Sequence, residues 1–295
     1  MKTALVTGAT GFIGGHVVRA LVAAGWRVHA TRRATSDTSG LKEAAAEVMF
    51  HDTDRDSAED LFASGPFDAV VLLAAAYGRG SEPPSATLAT NVQFPLEILE
   101  RAVVRKIPAV VHADTCFTPE YKYLRPYTLS KKQFAQWGRV LTEGTATRFV
   151  NLILQHPYGP GDRAGKFVPG MIRECLDSTG EIALTPGEQR KDFVYVGDVV
   201  AAILTVLEGL DRLPPGPTDL ECGTGAAVSI RTFVETILRL TASRADLRFG
   251  ALPYRENEIM LSQANPSGLR ALGWAPRVTL EEGLRATLRE DFGRG

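Results

Sequence analysis

The chain has 295 residues, of which 44% are hydrophobic and 23% are charged, and its formal net charge is −1. This length allows one large domain with a second lobe, and the near-neutral charge predicts neither a nucleic-acid nor an anionic-membrane partner. The longest apolar run, residues 69–77, is too short to cross a bilayer, and no signal peptide is predicted. Three widely spaced cysteines favour neither a disulfide framework nor a metal site, so we expect a cytoplasmic protein.

A glycine-rich turn comes almost at the start of the chain. A β-prone apolar run at residues 4–6 is followed by three glycines spaced three apart, a helical pattern over 12–24 and a strand pattern over 26–30. Glycines at a turn that opens a helix let a pyrophosphate approach the backbone and the helix N-terminus. A tight structural turn is the alternative. The residues predicted to hold a dinucleotide cofactor here are Gly8, Gly11, Phe12, Ile13 and Gly14.

Strand and helix patterns alternate through the first half of the chain. Strands are predicted at 47–51, 67–73, 107–113 and 147–154, and helices at 57–63, 85–105 and 127–142. This alternation predicts an α/β fold, a Rossmann doubly wound parallel sheet with helices on both faces. Ligands of such sheets bind beyond the C-terminal ends of the strands.

The pattern changes after residue 157, where prolines and glycines cluster and the predicted elements become short. Strands are predicted at 219–222 and 247–249, and helices at 196–207, 229–240 and 280–289. We therefore predict a dinucleotide-binding domain over residues 1–157 and a smaller, mainly substrate-binding α+β lobe over 158–295. Residues 192–210 are expected to pack back on the first domain.

Tyr127 and Lys131 form a predicted catalytic pair. They stand four residues apart in the helix predicted over 127–142, so they share one face of that helix. The Lys131 ammonium is expected to favour the phenolate and so to lower the pKa of Tyr127. A phenol tuned in this way can donate a proton to a carbonyl oxygen or accept one from a hydroxyl. The alternative is an ordinary solvated start of a helix.

The glycine turn TGATGFIG, with Tyr127 and Lys131 placed after the strand at 107–113, resembles the extended short-chain dehydrogenases/reductases, the NAD-dependent epimerase/dehydratase family. The resemblance implies that Lys131 also holds the nicotinamide ribose. It further implies a hydroxyl at the end of the same strand that hydrogen-bonds the reacting oxygen. Thr115 is the matching residue, with an ordinary turn residue as the alternative.

Shorter matches extend this resemblance over nearly the whole chain. The Ala74–Ala76 segment resembles the strand end that lies against the cofactor, and the segment at 157–160 resembles a turn near the nicotinamide. Asn91 is expected to support the loop or a bound water. The further cofactor contacts implied in this way are Asp52, Ala74, Ala75, Ala76, Asn91 and Pro157.

Two basic residues of the second lobe suit the diphosphate of a nucleotide sugar. Lys191 begins a KDFVYV segment where the family usually has Arg, and Arg255 begins an R-x-x-E motif that ends at Glu258. Cations at these positions can pair with diphosphate oxygens. The resemblance thus implies that Lys191, Arg255 and Glu258 contact the substrate, with ordinary surface charges as the alternative.

The end of the second strand departs from the family pattern. Where relatives often carry an Asp that binds the adenosine ribose, this chain has Arg32 and Arg33. Two guanidiniums in place of a carboxylate predict that a 2′-phosphate binds here, and hence that the cofactor is NADP(H). A preference for NADPH in turn favours net reduction.

The residues after Thr115 limit the classes of reaction that the family resemblance allows. Dehydratases of the family carry an Asp-Glu pair there, whereas this chain has Cys116 and Phe117. GDP-fucose synthases carry a cysteine two residues after the catalytic hydroxyl, whereas Cys116 is one residue after Thr115. We therefore expect Cys116 to be a pocket thiol that contacts the substrate rather than a base. His156 stands where relatives have an Asn near the sugar phosphate. A hydrogen-bonding substitute is favoured there over a proton donor.

The run SKKQF at 130–134, together with these features, resembles the abequose and paratose synthases. The resemblance implies an NADPH-dependent 4-ketoreductase of a nucleoside-diphosphate 4-keto-deoxysugar, with Tyr127 as the proton donor. The alternatives are a 4-epimerase with bound NAD(P), a reductase of a non-nucleotide carbonyl, and a non-catalytic NADP(H)-sensing regulator. The resemblance also implies a homodimer formed through the helices at 85–105 and 127–142.

Overall fold

A parallel sheet lies at the centre of the protein. The computed structural model describes residues 1–78 and 82–294. Its strands are β1 (Thr3–Thr7), β2 (Arg27–Arg32), β3 (Val48–Asp52), β4 (Ala69–Leu72), β5 (Ala109–Thr115), β6 (Arg148–Leu154), β7 (His156–Tyr158), β8 (Glu181–Leu184), β9 (Arg190–Lys191), β10 (Phe193–Tyr195), β11 (Gly216–Cys222), β12 (Val228–Ser229), β13 (Asp246–Phe249) and β14 (Leu261–Ser262). Within the described residues, seven strands pair in parallel in the order β11-β6-β5-β4-β1-β2-β3. The order runs outward in both directions from β1, which opens a crevice at the C-terminal strand ends.

The helices connect these strands and cover both faces of the sheet. They are α1 (Phe12–Ala23), α2 (Ala58–Ala63), α3 (Pro84–Leu88), α4 (Phe94–Val104), α5 (Arg125–Thr142), α6 (Phe167–Asp177), α7 (Val196–Glu208), α8 (Ile230–Thr241), α9 (Ser267–Ala271) and α10 (Leu280–Phe292). The helix predicted over 85–105 is divided, because a π-helical turn at Ala89–Gln93 lies between α3 and α4. In the described parts of the chain, no helix combines the length and apolarity needed to cross a membrane.

Alternate residues of β1 face two different cores. Ala4 and Val6 pack with α1 and α7 on one face of the sheet, whereas Leu5 packs with α2, α4 and α5 on the other. Strands buried on both faces are nearly continuous in hydrophobicity, as the sequence of β4 shows. The arrangement confirms the predicted Rossmann doubly wound α/β fold.

The second half of the chain contributes to both lobes. A separate core of the smaller lobe includes Tyr158, Phe193 and Phe233. Helix α7 packs against α1 in the larger core beside the sheet. The strand predicted at 219–222 does not belong to the smaller lobe, because β11 pairs with β6 along its whole length at the edge of the large sheet. A short apolar pattern indicates a strand but not the sheet that the strand joins.

A close helix–sheet contact makes Gly138 of α5 a test of this packing. A Cβ added to Gly138 would lie 2.1 Å from Cζ of Phe149 on β6, far inside van der Waals contact. We expect Gly138→Ala to lower the free energy of unfolding by about 1–3 kcal/mol, since overpacking outweighs the gain in helix propensity. Urea unfolding followed by circular dichroism measures the change.

Gly170→Ala is the matched control for this prediction. Gly170 also lies inside a helix, α6, but a Cβ there would be 3.8 Å from its nearest neighbour outside the helix, the carbonyl oxygen of Ala164. This variant is expected to be unchanged or more stable by up to about 1 kcal/mol. Equal stability changes in the two variants would contradict the described packing of α5 on β6.

Candidate active site

The glycine turn between β1 and α1 leaves no space for side chains. Gly8 has a φ of +67°, and a Cβ there would lie 2.6 Å from the backbone nitrogen of Ala74. A Cβ on Gly14 would lie 2.1 Å from the carbonyl oxygen of Gly8, so α1 packs directly on the turn. Gly11 caps α1 without a side-chain acceptor, and the first helical turn, which starts at Phe12, contains no acidic residue. The N–H groups of this helix N-terminus fit the pyrophosphate of a dinucleotide.

The loop after β4 is tied to the helix that carries the catalytic pair. The N–H of Ala76 donates to Asn91 Oδ1 at 2.8 Å, and Asn91 Nδ2 donates back to the Ala76 carbonyl oxygen at 2.8 Å. Asn91 Nδ2 also lies 2.9 Å from Ser130 Oγ on α5. Asn91 belongs to the π-helical turn and is almost fully buried. These contacts are those of a residue that supports the loop.

Thr115, Tyr127 and Lys131 meet at the C-terminal end of β5. Thr115 is the last residue of that strand, and its side chain lies close enough to the Tyr127 phenol to lower the pKa of Tyr127. Lys131 follows one turn later on α5, and all three residues are buried. Lys131 Nζ makes no hydrogen bond with the described residues, so its donors are left for a ligand.

The expected net lowering of the Tyr127 pKa is wrong for this structure. Burial raises the pKa of Tyr127 well above its ordinary value, and Tyr77 and Asp114 raise it further. The nearby Thr115 side chain lowers the pKa of Tyr127 but is a smaller effect. The phenol is therefore neutral, which is the state that a proton donor to a carbonyl oxygen requires.

Lys131 keeps a positive charge near neutral pH although it is buried. Burial lowers the pKa of Lys131 to about 8, the Asp114 carboxylate opposes this shift, and Lys132 adds to it. The ammonium stands on the same face of α5 as Tyr127. It can therefore stabilise negative charge on the phenol oxygen after the phenol has given up its proton.

Tyr77 is a site residue that the sequence analysis does not predict. Its ring stacks on Tyr127 with the centroids 4.7 Å apart and the planes 20° from parallel. Lys166 Nζ, from the other half of the chain, donates to the Tyr77 hydroxyl at 2.9 Å. The contact joins the two sides of the cleft. The sequence feature that could have indicated Tyr77 is its position, because it directly follows the Ala74–Ala76 segment assigned to the cofactor.

Arg32 lies at the end of β2, beside an acidic residue of the next strand. Arg32 Nε donates to Asp52 Oδ1 at 2.9 Å, and its guanidinium lies 5.0 Å from the centroid of the Phe50 ring. A carboxylate is therefore present near this position, although it comes from β3. Both Nη atoms of Arg32 make no hydrogen bond with the described residues, and the side chain of Arg33 is exposed. The arrangement leaves guanidinium donors for a phosphate.

Cys116 and His156 lie together at the side of the site that faces the smaller lobe. Cys116 Sγ is 3.9 Å from His156 Nε2 and 3.4 Å from Ser262 Oγ. Burial raises the pKa of Cys116 and lowers the pKa of His156 to about 3, so both groups are neutral. A neutral imidazole suits hydrogen bonding rather than proton donation. Across residues 1–78 and 82–294, no three His, Cys, Asp or Glu side chains are grouped as a metal site.

The predicted diphosphate cations differ in how far they are already paired. Lys191 Nζ lies 3.3 Å from Glu258 Oε1 and donates to the Ile259 carbonyl oxygen. Arg255 donates from Nη1 to the Tyr121 hydroxyl at 3.1 Å and is exposed. Glu258 neutralises Lys191, so Arg255 is the cation with more remaining charge for an anionic ligand.

Comparison with known proteins identifies the family. The sequence profile described as "NAD dependent epimerase/dehydratase family" matches residues 4–223, which is more than half of the chain. The chain belongs to this family. A CDP-abequose synthase of Salmonella typhimurium is 33% identical over 291 residues, with 97% of each sequence covered. A putative UDP-glucose 4-epimerase of Methanocaldococcus jannaschii is 26% identical over 300 residues, with 95% of each covered.

A solved structure shows the same fold over almost the whole chain. The structure of MoeE5 in complex with UDP-glucose and NAD superposes with a TM-score of 0.82 at 25% sequence identity, covering 98% of both chains. Membership of the epimerase/dehydratase family confirms the resemblance based on the glycine turn and the Tyr127–Lys131 motif. The region that matches the family profile contains most of the predicted site residues. Arg255 and Glu258 lie beyond its end at residue 223.

Proposed function

We propose that this protein is an NADPH-dependent 4-ketoreductase of a nucleoside-diphosphate 4-keto-deoxysugar. The observation that carries the proposal is the buried grouping of Thr115 and Tyr127 with the Lys131 ammonium, which has no hydrogen bond among the described residues. The similarity to CDP-abequose synthase supports a nucleotide deoxysugar as the substrate and makes a cytidine nucleotide the first one to test.

Each site residue has a separate role in the reduction of a carbonyl group. A bound nicotinamide supplies the hydride for the keto carbon. Tyr127 donates its phenolic proton to the keto oxygen as negative charge develops there. Thr115 hydrogen-bonds the same oxygen and shares this charge. Lys131 then stabilises the phenolate that remains, and its donors also hold the ribose of the cofactor.

Arg32 supports NADPH as the cofactor. Its Nη donors and the exposed Arg33 are suited to a 2′-phosphate, which NAD lacks. Asp52 accepts the hydrogen bond from Arg32 Nε, and this contact leaves the Nη donors available. Arg255 is the cation that we assign to the substrate diphosphate, with Lys191 and Glu258 forming an ion pair beside it.

A 4-epimerase is the second candidate function. It is favoured by the similarity to the putative UDP-glucose 4-epimerase and to MoeE5, whose structure holds UDP-glucose and NAD. An epimerase that recycles its cofactor consumes none in net terms, whereas a reductase consumes one reduced cofactor for each product. Net oxidation of the cofactor therefore separates the two functions.

The absence of an assigned carbon base predicts the fate of the protons beside the keto group. Cys116 and His156 are neutral, and an Asp-Glu pair does not follow Thr115. We expect a reaction in D2O with ordinary NADPH to leave C3 and C5 of the product free of deuterium, as read by NMR. Deuterium at either carbon above a control without enzyme would contradict simple reduction. His156→Asn would then show whether the imidazole is the base.

We also propose a homodimer formed through α3, α4 and α5, the helices at 85–105 and 127–142. Their exposed apolar side chains include Leu88, Leu129, Trp137 and Val140. Such a face is stabilised by burial against a second copy. We expect Trp137→Glu to shift the mass measured by light scattering towards the monomer, with Leu252→Glu in the smaller lobe as the control. A parent protein that is monomeric at micromolar concentration would contradict the proposal.

A further inference from the structure

The main chain around Thr115 is held by an ion pair that lies outside the catalytic trio. Lys132 Nζ donates to the Thr115 carbonyl oxygen at 2.5 Å and to Asp114 Oδ2 at 2.9 Å. Asp114 Oδ1 in turn accepts the N–H of Thr115 at 2.7 Å. One lysine and one carboxylate therefore hold both polar groups of the Thr115 backbone.

Asp114 is a buried carboxylate that the proposed chemistry does not use. Its side chain is 2% exposed, and Asn151 Nδ2 approaches Oδ2 at 3.2 Å in addition to the Lys132 ammonium. Burial raises the pKa of Asp114, but His112, Lys132 and the hydrogen bonds it accepts lower the pKa below its ordinary value. The carboxylate is therefore charged and fully engaged, and the Lys132 side chain next to it is partly exposed.

Helix α5 places two adjacent lysines in different environments. Lys131 faces the cleft with Tyr127, whereas Lys132 reaches the end of β5 and donates to two protein oxygens there. The hydroxyl of Thr115 also accepts the N–H of Phe117 at 3.2 Å, so its direction depends on the path of the backbone at this strand end. A shift of the backbone would move the hydroxyl away from Tyr127.

We propose that Lys132 and Asp114 form a positioning pair that fixes the Thr115 hydroxyl against the Tyr127 phenol. The inference rests on the proposed reduction, in which Thr115 and Tyr127 contact the keto oxygen. Lys132 acts through Thr115 and does not contact the substrate. Its removal lowers kcat by misplacing a catalytic hydroxyl and leaves the binding of NADPH unchanged.

A second ion pair between α5 and the sheet provides a matched control. Arg139 Nη2 contacts both carboxylate oxygens of Asp219 at 2.7 and 2.6 Å, and Asn151 Nδ2 bridges Asp219 to Asp114. Arg139 lies two turns after Lys132 on the same helix. Arg139→Met removes a comparable cation and leaves the Thr115 backbone contacts in place, so kcat is expected to stay at the parental value.

A double-mutant cycle distinguishes positioning from simple structural support. Lys132→Met is expected to lower kcat by about 10- to 100-fold with little change in KM, and Lys132→Arg, which keeps donors at this site, to restore most of it. Lys132→Met combined with Thr115→Val should match Thr115→Val alone within about twofold, because both changes remove the same interaction. Losses that multiply in the double variant would overturn the proposal.

A second variant and an NMR measurement also test the positioning role of Lys132 and Asp114. Asp114→Asn is nearly isosteric and leaves no unpaired buried carboxylate, so it can replace Lys132→Met if that variant does not fold. The kcat of Asp114→Asn combined with Thr115→Val is likewise expected to match that of Thr115→Val alone. The NMR signal of Tyr127 Cζ, recorded without substrate, should move in Lys132→Met and stay in place in Arg139→Met. An unmoved signal would overturn the proposal whatever the activity. Failure of the parent protein to reduce any 4-keto sugar would instead contradict the proposed function.

Discussion

Tyr127→Phe is expected to lower kcat by about 10²- to 10⁴-fold, the contribution that a positioned general acid typically makes. The Phe ring can keep the stacking contact with Tyr77, so only the hydroxyl is lost. The Kd of NADPH, measured by titration calorimetry, is expected to change little. Turnover within a few-fold of the parent on a 4-keto sugar would contradict the role of Tyr127 as the proton donor.

Lys131→Met is the contrasting variant for this prediction. The Lys131 ammonium is assigned to the cofactor ribose as well as to the phenolate, so kcat and NADPH affinity are both expected to fall. If Lys131→Met lowered kcat alone, the lysine would act only on Tyr127. If it lowered affinity alone, the stabilisation of the phenolate would be excluded.

Arg32→Asp is expected to erode or reverse the preference for NADPH over NADH. Charge-assisted hydrogen bonds to a 2′-phosphate are worth about 1–3 kcal/mol, or roughly 5- to 150-fold in Kd. The new carboxylate would also stand beside Asp52 and repel the phosphate. Calorimetric titration of the two reduced cofactors into parent and variant measures the effect.

Arg27→Asp controls for the change of charge, because Arg27 is exposed at the opposite end of the same strand. It is expected to leave the ratio of the two affinities unchanged. Equal affinities of the parent for NADH and NADPH would contradict the assignment of Arg32 to the 2′-phosphate.

The sequence predicts the parts of this fold that depend on local patterns. The glycine turn and the alternating strands are visible because backbone approach, burial and periodicity restrict residue types within short windows. The placement of β11 and the π-helical turn at Ala89–Gln93 are not visible in this way. Strand partners and helix irregularities depend on contacts between residues that are distant in the chain.

In the candidate active site, too, some residues are predictable from local sequence patterns and others depend on contacts between distant residues. Tyr127, Lys131 and Thr115 are predicted from spacing and family resemblance, and the structure brings them together. The Lys132–Asp114 pair and the Lys191–Glu258 pair join residues 18 and 67 positions apart, and no local pattern links them. The direction of the pKa shift of Tyr127 is also hidden, because burial depends on the whole cleft rather than on the lysine four residues away.

The most direct measurement is the reaction of the protein with CDP-, GDP-, UDP- and dTDP-linked 4-keto-6-deoxysugars in the presence of NADPH deuterated at C4 of the nicotinamide. Loss of reduced cofactor by absorbance and the position of deuterium by mass spectrometry and NMR are followed together. A 4-ketoreductase gives one oxidised cofactor for each product and places the deuterium at C4 of the sugar. A changed sugar without net oxidation of NADPH, or reduction only of carbonyls that carry no nucleotide, would contradict the proposed function.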